Sequence, residues 1–115
     1  MKQFAFVNDA AEREYKALPK EVQREFGISL RAVQDDKKPF LPITLLKNIG
    51  AGVIELKING SPAFRSVYIA KFIDTVIVLH SFTKTTNGVD KQAMKTLQQR
   101  YKELQSELAK MKKKQ

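Results

Sequence analysis

Three β-rich runs, VIELKI (53–58), AFRSVYIAKF (63–72) and TVIVLHSF (75–82), follow one another with only Asn59-Gly60-Ser61-Pro62 and the short acidic turn at Asp74 between them. Parallel neighbours need a crossover of a dozen residues or more, and none fits between these runs, so they are predicted to pair as an antiparallel meander. The rest of the chain must cover that sheet. Residues 2–7, KQFAFV, alternate and read as a short first strand, with Asn8 or Asp9 available to cap a helix from Ala10. AAEREYKAL ends at Pro19, and Val22, Phe26, Leu30 and Val33 then recur at helical steps, which predicts a helical hairpin despite Gly27. Lys38 to Gly52, with two Pro and two Gly and no clear period, reads as a connecting loop that packs through Phe40, Ile43, Leu45 and Leu46. A last helix is marked by Met94, Leu97, Tyr101, Leu104, Leu108 and Met111 at steps of three and four. Helices segregated from an antiparallel sheet make the class α+β, with helices on one sheet face and the other shielded by loops and part of the last helix.

With 115 residues there is material for one compact domain, 1–115, in which 110–115 is expected to be a frayed basic tail. Lys and Arg number 21 against 12 Asp and Glu, a net charge of +9, so the expected partner is an anion such as RNA, DNA or an acidic protein segment. Residues 91–115 carry eight Lys or Arg and two Glu, so six of those nine charges are C-terminal. Cysteine is absent, which removes disulfides, thiolate nucleophiles and Cys-based metal sites, and is compatible with a reducing cytoplasm. No apolar run is long enough to cross a bilayer and no leader pattern is visible, so the protein is expected to be cytoplasmic.

A single His80 without cysteine offers no metal-ligand set of known spacing, and Gly50-Ala51-Gly52 precedes a strand instead of opening a helix, unlike phosphate-binding glycine motifs. No cofactor is expected. What remains is a cationic set on the sheet: Lys57, Arg65, His80 and Lys84. Cutting RNA by attack of the 2′-hydroxyl on the adjacent phosphate requires charge stabilisation plus a proton acceptor and a proton donor. Lys and Arg supply the first, and His80 is the side chain whose ordinary pKa of about 6.5 suits the second. His80 could equally satisfy a buried hydrogen bond, and Lys57, Arg65 and Lys84 could be solvated charges. Alternation puts Arg65 on the same strand face as Val67 and Ile69, which singles it out.

The segment from VIELKI to HSFTKTT resembles the sheet region of the phage Gp49-like family, in the HigB-type branch of the RelE/ParE toxin superfamily. The matching positions are Gly52, Glu55-Leu56, Arg65, His80, Phe82 and Lys84. Lys57 stands where the family has Arg, Ser81 where it has Gly, and Thr85 where it has a second Lys. Lys cannot grip a phosphate with two parallel bonds as Arg does. The aromatic or acidic residues that some relatives carry near the C-terminus have no counterpart, Tyr101 lying well inside the helix. The resemblance implies a RelE-like fold and the toxin of a type II toxin-antitoxin system, a ribosome-dependent messenger RNA endoribonuclease restrained by a helix-turn-helix antitoxin, with toxin and antitoxin able to join in a higher-order complex. It also implies that Arg65 binds the scissile phosphate, that Lys57 and Lys84 stabilise developing charge, and that His80 shuttles a proton or holds the site. Two rivals remain: a ParE-like gyrase inhibitor of the same fold, and a non-catalytic nucleic-acid-binding module.

Overall fold

A computed structural model describes residues 1–85 and 87–113. In chain order they form β1 (Gln3–Phe6), α1 (Asp9–Lys16), α2 (Lys20–Gln34), β2 (Ile43–Leu45), β3 (Ile54–Ile58), β4 (Ala63–Phe72), β5 (Thr75–Lys84) and α3 (Lys91–Lys113). The fold class is the expected α+β. Asn8, not Asp9, caps α1: its backbone is extended and its side chain accepts from the Ala11 N–H at 2.8 Å, satisfying one of the donors a helix start leaves free. Pro19 opens α2, and the Gln23 side-chain amide turns back to donate to the Lys16 and Leu18 carbonyls, which fastens the hairpin. Gly27 is passed without a break in α2. At the start of α3, Asp90 accepts from the Ala93 N–H at 3.0 Å. That helix continues through Lys113, into the stretch expected to fray, while Lys114 and Gln115 lie outside the described residues.

The strands form one sheet in the order β1-β5-β4-β3-β2. The meander β3-β4-β5 is antiparallel, as the short spacers require, but β1 adds to β5 in parallel, with Phe4 opposite Val76 and Phe6 opposite Val78. The sheet is therefore mixed. Most of the chain separates β1 from β5, so the length limit that forbids parallel pairing between adjacent runs does not apply to them. The segment 38–52, expected to be a loop, contributes β2, a three-residue edge strand antiparallel to β3. Of the four residues expected to pack there only Leu46 is buried. Phe40, Ile43 and Leu45 are exposed, and Ile49 enters the core instead.

Both sheet faces are covered, one by the helical hairpin and the other by the last helix together with the 46–53 segment, as expected. Val76, Val78, Leu56 and Tyr68 pack with Leu18, Val22, Phe26 and Leu30 under the α1–α2 hairpin. On the opposite face Val67, Ile69, Ile77 and Leu79 pack with Leu97 and Leu104 of α3 and with Leu46, Ile49 and Val53. Gly50 allows that second layer to close, since a Cβ there would lie 2.4 Å from the Tyr101 ring. No helix among the described residues is long and apolar enough to cross a membrane.

Candidate functional site

Paired residues in an antiparallel sheet point to the same face, so the register assigns the cationic residues to one surface. Lys57 lies opposite Arg65 and Arg65 opposite Phe82, while Lys84 lies opposite Ala63 one row further on. One row back, Glu55 is opposite Val67 and Val67 opposite His80. Val67 belongs to the core beneath α3, so all these positions share the α3 side of the sheet. A bulge makes this possible. Val67 pairs with His80 but Tyr68 pairs with Val78, which leaves Leu79 as an extra residue on β5 and turns His80, Phe82 and Lys84 onto the face of Arg65. Gly52, at φ +85°, makes the turn that leads into β3 and so into Glu55 and Lys57.

Arg65 is buried, with 7% of its surface exposed, as its alternation with Val67 and Ile69 predicted. Its Nη1 donates to the Phe64 carbonyl at 2.9 Å and, more weakly, to the Ile58 carbonyl at 3.4 Å, while Nε sits 3.7 Å from Glu55 Oε1. Two cations placed directly across a strand pair, Lys57 and Arg65, repel each other, and Glu55 on the diagonal offsets part of that. Arg65 and Lys84 line a cavity of about 550 Å³ whose walls come from the Asn59–Ala63 hairpin loop and from Thr85, Asn87 and Gly88. Lys84 also lines a neighbouring cavity of about 260 Å³ with Glu55, Phe82, Thr44 and Asp90. Burial pushes the Glu55 carboxyl above its usual range, although Arg65, Lys84 and Lys57 pull the other way.

His80 has a different setting. Its Nδ1 lies 2.8 Å from Glu14 Oε1, and Arg100 of α3 grips the same carboxylate with both nitrogens, Nη1 at 2.7 Å and Nη2 at 2.8 Å. Arg100 Nη1 also donates to the Leu79 carbonyl at 2.9 Å, one residue beyond the last β1–β5 pair. The carboxylate accepts, so Nδ1 carries the proton and its 3.3 Å approach to Arg100 is a contact between two donors. Burial lowers the His80 pKa, Glu14 raises it and Arg100 lowers it, with a net decrease, so the ring is neutral at neutral pH. Its ring stacks on Phe82 at 4.8 Å between centroids. Along β5, Phe82 therefore stands between His80 and Lys84.

Of the four residues singled out in the sequence, Lys57, Arg65 and Lys84 come together, and His80 sits one row away in an ion-pair cluster. Three residues of this region escaped notice as participants: Glu55, Glu14 and Arg100. Glu55 was within reach, since the alternation that marked Arg65 also places Glu55 and Lys57 on one face of β3. Glu14 and Arg100 are 86 residues apart and carry no local signal of their meeting. Among the described residues no group of three or more His, Cys, Asp or Glu could hold a metal ion.

A mixed sheet between a helical hairpin and a C-terminal helix, with cations gathered at one end of one sheet face, places the protein in the RelE-like class of α+β folds. Residues 13–102 match the family described as phage derived protein Gp49-like (DUF891), and the chain belongs to that family. The match runs from the second half of α1 to the first half of α3 and so includes every residue of the site. The family suggests the toxin of a toxin-antitoxin pair, with an antitoxin as its partner. No curated protein matches the chain significantly.

Proposed function

We propose that the protein is the toxin of a type II toxin-antitoxin system and cuts messenger RNA on the ribosome, by metal-independent attack of a 2′-hydroxyl on the neighbouring phosphate. The observation that carries this reading is the convergence of Lys57, Arg65 and Lys84 at one end of one sheet face, with Arg65 and Lys84 in the wall of one cavity. Arg65 is anchored by backbone carbonyls and holds its guanidinium in place before substrate arrives, so little ordering cost falls on binding. In this reading Arg65 binds the scissile phosphate, and Lys57 and Lys84 stabilise the charge that grows on it. His80 acts at the back of the site, either holding Phe82 or moving a proton. The net charge of +9 suits docking among ribosomal phosphates in the cytoplasm, and the ribosome supplies the orientation of the message. The cognate antitoxin is expected to be a helix-turn-helix protein, and the two together can form a higher-order complex.

Tightly controlled expression of the wild type, Arg65→Ala and the less buried Lys84→Ala tests this, with growth and the 5′ ends of translated and untranslated messages followed together. The expected outcome is arrest with new cuts in translated messages, and a loss of about 10²-fold or more in cleavage for either variant. Arrest with intact messages would point to gyrase inhibition, and binding without arrest to a nucleic-acid-binding module.

A further inference from the structure

Two arginine–carboxylate pairs join elements of this fold, and they differ in kind. Glu14 is saturated, because Arg100 takes both of its oxygens and His80 takes one of them again. Such a carboxylate is committed to structure: burial pushes its pKa up, the bonds from Arg100 and His80 outweigh that, and it is held below the usual range. Glu55 is not saturated. Arg65 Nε is 3.7 Å from Oε1, beyond hydrogen-bond reach, because Arg65 Nη1 is directed at the carbonyls of Phe64 and Ile58. Among the described residues nothing hydrogen-bonds the Glu55 carboxyl, although only 12% of the side chain is exposed. It lines the 260 Å³ cavity beside Lys84, and Lys84 and Gly88 also line the cavity of Arg65.

We propose that Glu55 is the catalytic proton acceptor of this site, an inference that rests on the ribonuclease reading above. The Glu55 carboxylate takes the 2′-hydroxyl proton as the O2′–P bond forms. The P–O5′ bond breaks with its electron pair on O5′, which takes a proton from the Lys84 ammonium, and the proton on Glu55 then returns to Lys84. The products are a 2′,3′-cyclic phosphate and a 5′-hydroxyl end, with no net change in the protein. His80 suits this step less well: its Nε2 is left to accept a proton, but the ring lines neither the cavity of Arg65 nor that of Glu55 and Lys84. A carboxyl held above its usual range by burial is also the better base near neutrality, because basicity rises with pKa.

The test is single-turnover cleavage of message on programmed ribosomes between pH 5 and pH 8 for the wild type, Glu55→Gln, Glu55→Asp and Arg65→Ala, with melting temperatures recorded beside it. The wild-type rate is expected to fall on the acid side, approaching about tenfold per pH unit only below the Glu55 pKa. Glu55→Gln should lose about 10²-fold or more and with it the acid limb, while Glu55→Asp keeps that limb at a reduced rate. The melting temperature of Glu55→Gln should not drop, since the amide keeps the shape and removes a buried charge; if it does drop, the pH profile of Glu55→Asp decides. A Glu55→Gln protein that cleaves within a few-fold of wild type, or that is slow yet retains the acid limb, would overturn the proton-transfer role and leave the nuclease standing. Absence of cleavage by the wild type, with arrest or without it, would remove both.

Discussion

Ile73 and Asp74, the two residues between β4 and β5, both have left-handed backbones, with φ of 46° and 50°. Two such residues in succession make the tight turn whose twist suits a hairpin, and Asn-Gly or Asp-Gly is its preferred filling. A β-branched residue in that region is strained by about 1–3 kcal/mol, and Ile73 gains little from burial in return, being 54% exposed. Ile73→Asn is therefore expected to stabilise the fold by about 1 kcal/mol, seen as a rise of about 4 °C in melting temperature. The turn itself was legible from its length and from Asp74; the conformation forced on Ile73 was not, because an isoleucine in sequence reads as strand. Arg65 was legible through alternation alone. The state of Glu55 was hidden for a different reason, since the cavity it lines is built with Thr44 and Asn48 from the preceding segment and Val89 from far along the chain.

At the scale of elements, the Glu14–His80–Arg100 cluster ties α1, β5 and α3 together where β1 stops covering the edge of β5. Its pH dependence has a definite sign. The folded His80 pKa lies below 6.5, so its contribution is fully present above that value and is lost as pH falls through the folded pKa. Glu14 is likewise lowered, so a second loss begins only below about 4.5. His80 is the sole histidine of the chain, which makes the upper step its signature. Denaturant midpoints should decline in two stages on acidification, and His80→Gln should abolish the upper stage while keeping the lower one. The helices themselves followed from hydrophobic period, and α3 even places Leu97 and Leu104 in the core as its spacing required. Arg100 escaped because a charge count treats it as solvated, whereas 9% of its surface is exposed. The edge strand β2 escaped because three residues after Pro42 are too few to show a period.

For the molecule as a whole, helices on both faces leave the end of the sheet near Lys57, Arg65 and Lys84 as the uncovered part, and the positive charge is divided between that end and the C-terminal part of α3. The two contributions should separate in salt. Ending the chain after Ala109 removes Lys110, Lys112, Lys113 and Lys114 but keeps Leu108, which packs on the core. Affinity for single-stranded RNA, measured by anisotropy over a range of salt, should then show a slope in log–log form reduced by about 0.7 for each phosphate that those lysines neutralise in the full chain. The melting temperature should change little. A slope unchanged by the truncation would place phosphate binding outside those four lysines.

The extra residue at Leu79 sets the phase of everything after it in β5. A strand has parity, odd positions to one side and even to the other, and the parity that buries Val76 and Val78 under the hairpin would carry Phe82 and Lys84 to that same side. One inserted position inverts the sequence of faces midway along the strand, so a single β5 serves the hairpin core with its first half and the cationic cluster with its second. The hairpin core and the cationic cluster thus occupy opposite phases of one strand, and the length of that strand determines the cluster as much as any of its side chains.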